Sequence, residues 1–522
     1  MNIAAVSWLI MVLPQASINK HLPTLLGCIF FLLLNTPAQS KSFNLTPGYR
    51  EAYLELLRLR FDNANQLIKA EEIADPSNVT YAFLYGYIDF LKYSINEETV
   101  DYDRLVTSLQ DRIDQLNQVS ESSPWRLNCQ AQLYLQSGLA SMKNGNYFRA
   151  ANDISKSYSL FKRNEKLFPD FLPGKAGLGL MNVLFGSVPD SFKWVTTTLG
   201  FEGDVSRGSQ LLRSVIDASL KEYPFLYNES LFLYTFITFN FSSSTQSDVQ
   251  EMEVLYGQKH VRKELAVNPL LIYSAASLYL KNGNNDEALK LLVNRPLHHS
   301  YYPFHYLDYL TGIAYLNKID PRCRLYFLKY INNYKGDYFI KSAYQKLAWS
   351  YLALDDEDNY KKYISRVKLF GEQATENDKE AQFETSNGKV PQKELLKARL
   401  LCDGGYYDKA ENVLIQLNQN LLQEIWRNEY YYRLARIKHQ TGHLTKAKEL
   451  YIKTFQTGKN LDSWYPANSL LMLGTIHEEE GDIKKAHYYY SECLKQDFTL
   501  YKSGIHQKAM AGMSRTKRGR PG

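Results

Sequence analysis

The chain has 522 residues, 45% of them hydrophobic, which excludes wholesale disorder and gives ample length for a packed core. Its formal charge of +6 arises from 61 basic and 55 acidic residues, but six of the basic ones lie in Lys502–Gly522, where there is no acid. The rest of the chain is balanced, which excludes the clustered positive face that nucleic-acid binding requires.

Residues 1–40 hold two short apolar runs, Ile3–Leu13 and Leu25–Leu34; the second follows Lys20 and His21 and precedes Pro37-Ala38-Gln39-Ser40. A positive residue, about ten apolar residues and then small ones is the order of a secretory signal peptide, with cleavage expected near Ala38 or Ser40. The expected location is extracytoplasmic, periplasmic or secreted; the alternative is retention of this segment as a membrane anchor. Beyond Cys28, the cysteines Cys129, Cys323, Cys402 and Cys493 are far apart in helical surroundings, which predicts buried free thiols.

Residues 41–120 show apolar positions at helical spacing in YREAYLELLRL and YAFLYGYIDFLKY, and are expected to form an N-terminal helical cap. From 121 to 370 a pattern recurs: a small residue, a glycine seven positions on, and alanine five further. It occurs at Gly138/Gly145/Ala150 and Ala276/Gly283/Ala288, and returns later at Ala398/Gly405/Ala410, Ala435/Gly442/Ala447 and Gly474/Gly481/Ala486. Small residues let two helices approach closely, and the middle glycine supplies the left-handed turn between them. Gly312 and Ala348 begin copies without the turn glycine. The pattern resembles the tetratricopeptide repeat (TPR) and implies an all-α, right-handed α-solenoid of helix-turn-helix repeats. The 40 tyrosines suit helix-pair interfaces.

Two segments interrupt the array. In FGSVPDSFKWVTTTLGFEGD, residues 185–204, three glycines, a proline and a threonine run separate a first helix containing Gly177 from a helix that resumes at Asp204. From Gly177 to Gly208 is 31 residues, where 12 is the repeat spacing, so an inserted hairpin is expected. Residues 371–393, polar and charge-rich, read as a linker between the first block and a C-terminal TPR block over 394–500, followed by a solvated basic tail over 501–522.

The run Gly177–Arg213 is similar to a segment of the eukaryotic inclusion-body-clearance family of TPR proteins, matching it at Pro189, Gly200, Phe201, Gly203, Asp204, Gly208, Leu211 and Leu212. That resemblance implies association with the mitochondrial outer membrane, misfolded-protein clearance and lipid droplets; a secretory leader departs from it.

No phosphate-binding glycine loop, nucleophile elbow or paired-carboxylate motif is present, His439 and His443 flank the turn at Gly442, and HEEEG from His477 lacks the second histidine of a zinc motif. No catalytic residue, metal or cofactor is therefore expected, and the chain reads as a non-enzymatic scaffold. In TPR proteins ligands lie along the first helices, and the matching positions here are Arg399, Glu429, Tyr432, Arg436, His439, Thr475 and Glu478, with Tyr273, Tyr306, Tyr309 and Trp349 earlier. The two arginines beside a tyrosine point to an extended peptide or an acidic terminus as the partner. The alternative is peripheral membrane or lipid contact through the inserted hairpin, with Val188, Phe192, Trp194, Val195, Leu199 and Phe201.

Overall fold

A computed structural model describes residues 41–96, 102–119, 123–187, 200–201, 203–240, 246–388 and 390–518. The signal-peptide segment and Val188, Pro189, Phe192, Trp194, Val195 and Leu199 of the insertion lie outside them. Among the described residues the protein is all-helical, with no strand beyond two isolated bridges. The helices are α1 (Pro47–Leu57), α2 (Phe61–Ala74), α3 (Thr80–Asn96), α4 (Tyr102–Leu116), α5 (Pro124–Lys143), α6 (Tyr147–Leu167), α7 (Leu172–Gly186), α8 (Val205–Glu222) and α9 (Tyr227–Asn240). They continue with α10 (Gln246–Gly257), α11 (Lys259–Leu265), α12 (Pro269–Lys281), α13 (Asn285–Val293), α14 (Tyr306–Leu316), α15 (Cys323–Asn333), α16 (Ile340–Leu352), α17 (Glu357–Ile364) and α18 (Glu376–Asn387). The last are α19 (Lys393–Asp403), α20 (Tyr407–Ile415), α21 (Glu424–Gln440), α22 (Leu444–Gly458), α23 (Tyr465–Glu479), α24 (Ile483–Leu494) and α25 (Lys502–Arg518). Helix starts are written plainly in the sequence: Thr46-Pro47 and Ser123-Pro124 each place a hydroxyl cap before a proline at the first turn, and Asn268-Pro269 uses an amide oxygen for the same purpose.

Consecutive helices pack on one another: α1 on α2, α5 on α6, α12 on α13, α14 on α15, α16 on α17, α19 on α20, α21 on α22 and α23 on α24. One turn joins all eight of these pairs. Its left-handed residue is Gly145, Gly283, Gly405, Gly442 or Gly481, with φ from 74° to 80°, in the five pairs whose spacing announced it. In the other three it is Leu59, Ile319 or Asp355, with φ of 60°, 56° and 64°. In every case the next residue's amide bonds the carbonyl five residues back, from Arg60 to Glu55 (2.9 Å), Asp320 to Tyr315 (3.0 Å) and Asp482 to His477 (2.8 Å), for example. This is the six-to-one bond of a Schellman cap, which satisfies carbonyls that the helix end leaves open.

Residues 41–120 are expected as an N-terminal helical cap without the small-residue signature, and the turn at Leu59 adds that signature to their first two helices. Ala52 and Ala64 stand seven before and five after Leu59 and are fully buried, so α1 and α2 form a hairpin of the repeat kind. Leucine in the glycine position hid it.

The chain forms two compact units, one running to Ser230 apart from Ile95–Glu98, the other comprising those four residues and Leu231 onward. The boundary therefore falls within α9, not at 371–393. The segment expected as a linker instead contains α18, which packs on α16. Its Asp378 is fully buried and accepts the amides of Phe339 (2.9 Å) and Ser342 (3.0 Å), capping the start of α16 from another helix. The tail expected to be solvated forms α25, packed on α23 and α24, with Ile505 and Ala509 buried. Cys129, Cys323, Cys402 and Cys493 are buried free thiols.

At the insertion, α7 and α8 pack as a hairpin whose close approach uses Gly179 and Gly208: a methyl on Gly208 would lie 2.5 Å from the Gly179 carbonyl oxygen. Phe201 is buried and stacks on Phe185 (4.4 Å, 9°), with Tyr158 edge-on to both. Gly200 is left-handed, a methyl on Gly203 would strike the Gly186 nitrogen at 2.2 Å, and Asp204 caps α8 through the Arg207 amide.

The turn geometry separates two glycines that look alike in sequence. A methyl at Gly442 meets open space, so Gly442→Ala should cost only the left-handed penalty, about 1 kcal/mol. At Gly405 the methyl would lie 2.0 Å from the Gly283 carbonyl oxygen, and Gly405→Ala should cost at least twice as much. Urea unfolding of the two variants checks this; equal losses would contradict it.

Candidate functional site

The seven residues expected to contact a partner all lie in the second unit, and the structure gives most of them internal work. Tyr432 is 2% exposed and its hydroxyl accepts from Asn468. Arg436 donates to Asp403 (2.8 Å) and Arg399 to Glu380 (2.8 Å), so neither guanidinium is an unclaimed anion receptor. His439 Nδ1 sits 3.3 Å from the Tyr451 hydroxyl, and burial together with Arg436 disfavours its protonation. Thr475 donates to the Leu471 carbonyl of its own helix. Glu478 accepts from Tyr490 and, twice, from Arg515 of α25, a residue of the supposedly free tail. Of the earlier aromatics, Tyr306 stacks on Tyr309 (5.4 Å) and meets Tyr273 edge-on (5.8 Å), while Trp349 lines the cavity described next.

Arg399 and Glu429 also line a cavity of about 380 Å³. Its walls come from α16, α18, α19, α21 and the segment leading into α23, and include the indoles of Trp349, Trp426 and Trp464, the ring of Phe383, and the carboxylates of Glu380, Glu384, Glu429 and Asp462. Leu500, just before α25, closes one side.

A chain of buried charges surrounds it. Lys346 Nζ lies 3.7 Å over the Trp349 ring and 3.4 Å from Glu380, whose other oxygen takes Arg399; the Arg399 guanidinium is 4.8 Å from the same ring. Burial works to raise the Glu380 carboxyl, but Arg399 and Lys346 hold it well below the usual range. Burial likewise opposes ionisation of Asp403, and Arg436 with Arg399 overcomes it. Arg433, with 1% of its side chain exposed, binds Glu429 through two nitrogens (2.8 and 3.0 Å) and lies 5.2 Å from the Tyr465 ring. Such pairs are held by geometry: removing one partner strands the other in low dielectric.

Glu384 differs from these acids. Its donors are neutral: Gln345 Nε2 (2.6 Å), the Tyr360 hydroxyl (2.9 Å) and Trp349 Nε1 (3.0 Å). Burial pushes its carboxyl up to about 7, against the pull of those bonds. In the first unit a second carboxyl behaves similarly: Glu229 accepts the hydroxyls of Tyr53 and Tyr87, and burial raises it.

Sequence reasoning passed over Glu380 and Glu384 because residues 371–393 looked solvated. A signal was there, since Thr375 and Asp378 have the spacing of a capping box, and Thr375 does cap α18 through the Asp378 amide. Among the described residues there is no group of three side chains suited to hold a metal, and no helix is long and apolar enough to cross a membrane.

No protein-family model matches the chain, and no curated protein sequence matches it.

The carboxyl of Glu384 makes stability depend on pH in a defined direction. Its folded value, about 7, exceeds the ordinary 4.5, so folding favours the protonated form. Stability is then greatest below 4.5 and falls as pH rises through 7. Glu384→Gln should remove that loss, gaining roughly 1–2 kcal/mol on the native protein at pH 8 and little at pH 5, the gain limited by the cavity's access to water. Thermal unfolding at the two pH values checks the sign.

Proposed function

We propose that the chain is an exported, non-enzymatic scaffold of the tetratricopeptide-repeat type, a right-handed α-solenoid that holds an extended segment of a partner protein along the second unit. The observation that carries this reading is the cavity walled by Trp349, Trp426 and Trp464 and rimmed by fixed charges. Concave sites with aromatic walls and a few placed polar groups are built to anchor side chains, and stacked helical hairpins give a partner a long surface beyond the anchor. Eight hairpins with one turn geometry support the repeat type. The apolar run before Ala38 supports export, as in envelope assembly or the handling of misfolded protein.

The arrangement of charges refines the expectation of an acidic terminus as partner. Arg399 and Arg436 are each committed to a carboxylate, so an acidic ligand would have to break an internal ion pair to reach either. The lipid reading gains no such support: of its six residues only Phe201 is described, and that ring is buried against Phe185 and Tyr158.

The test is an array of 15-residue peptides of varied sequence probed with the full chain. Binding should occur and should weaken at least 10-fold in Trp426→Ala, while Tyr488→Ala, on the exposed side of α24, leaves it unchanged. Equal binding by both variants, or binding by none of the proteins, would remove the reading.

A further inference from the structure

The cavity's inventory of charge says which side chain it takes. Four carboxylates, Glu380, Glu384, Glu429 and Asp462, face it against one lining cation, Arg399. Two of the acids are already neutralised: Glu380 by Arg399 and Lys346, and Glu429 by Arg433. Asp462 holds only the amide (3.1 Å) and hydroxyl (3.0 Å) of Thr499. Glu384 is held by an amide, a phenol and an indole, none of them charged. An anion entering here would meet Arg399 already bonded to Glu380 and stacked on Trp349, and would have to pull it from both. A cation would meet indole surface at Trp426 and Trp464 and a carboxyl, Glu384, whose hydrogen bonds all come from neutral donors. Guanidinium and ammonium groups are drawn to indole faces, most strongly where water is excluded.

Resting on the peptide-binding reading, we propose that this cavity receives a basic side chain of the partner, arginine or lysine, between Trp426 and Trp464, with Glu384 as its counter-ion. The site is acid-selective in reverse: it rejects glutamate and aspartate because the cations beside it are spoken for.

The proposal carries a pH signature. The charged and titratable groups facing Glu384 are Lys346 from α16, Tyr360 from α17, Glu380 one turn back on α18, and Arg399 from α19, which bonds Glu380 and stacks on Trp349. The counter-ion role needs the Glu384 carboxylate ionised, so affinity for a cation rises as pH passes upward through about 7. Burial lowers the Lys346 ammonium from its ordinary value, while its charge helps to hold the Glu384 carboxyl down.

Two probes test this with the full chain. The first is N-acetylargininamide, with N-acetyl-lysinamide beside it and the neutral isostere N-acetylcitrullinamide as control, each followed by tryptophan fluorescence. The second is a peptide series differing at one position, Arg, Lys, citrulline, norleucine or Glu. Arginine or lysine should bind at least 10-fold better than citrulline or norleucine, and the advantage should grow between pH 6 and pH 8. Glu384→Gln should abolish that advantage while leaving binding of the neutral peptides intact, which separates lost charge recognition from misfolding. A preference for the glutamate peptide, or an equal loss for all peptides in Glu384→Gln, overturns the proposal and leaves peptide binding standing. Binding of the arginine amide with no peptide bound supports the cation site and removes the peptide reading. Binding of neither removes both.

Discussion

The protein depends on one backbone constraint: a residue held in the left-handed conformation seven positions after a small, buried residue. The small residue lets the second helix lie close, and the left-handed residue turns the chain so that it does. The following amide then closes a bond of 2.8–3.0 Å onto the end of the first helix. Among the described residues eight hairpins repeat it, two in the first unit and six in the second. Where glycine occupies the turn the geometry carries little strain. At Leu59, Ile319 and Asp355 a side chain accepts a conformation costing roughly 1–2 kcal/mol; Leu59 is fully buried there, while Asp355 is exposed and pairs with Lys393.

That same repetition explains why the second unit has a site at all. Helix α18 packs on α16, and α19 on α21, and Glu380 of α18 reaches Lys346 of α16 on one side and Arg399 of α19 on the other. The result is a run of alternating charges, Lys346, Glu380, Arg399, Asp403 and Arg436, that neutralise one another. Each of these charges already has a partner, and Lys346 and Arg399 also lie over the ring of Trp349. The proposed cation site therefore relies on a group outside the run, Glu384, and on the indoles.

Much of the fold was legible in the residues. Glycines at 145, 283, 405, 442 and 481 can be read as turns because glycine alone takes positive φ without strain, and the small residues around them fix the pairing. The hairpin at Ala52 and Ala64 escaped because leucine stood where glycine was expected, and local preference says nothing of a conformation imposed by packing. The helix at 376–387 escaped for another reason. Its acids are polar by composition, and only contact with Lys346, Arg399 and the Phe339 and Ser342 amides makes them interior.

For the site, sequence by itself put Arg399 and Glu429 on first helices, because helical periodicity and the repeat spacing assign faces, but it did not show α18, which lines the same cavity with Glu380 and Glu384. It also set the buried cysteines and the caps at Thr46, Ser123 and Asn268, which are local matters. Only the tertiary structure decided which charges are spent on one another and which is left over. Ion pairing joins residues far apart in the chain, 34 positions between Lys346 and Glu380 and 33 between Arg436 and Asp403, and no local pattern encodes such pairs. The distances between hairpins settle them, and with them which carboxyls along the cavity meet a charged partner and which meet neutral donors.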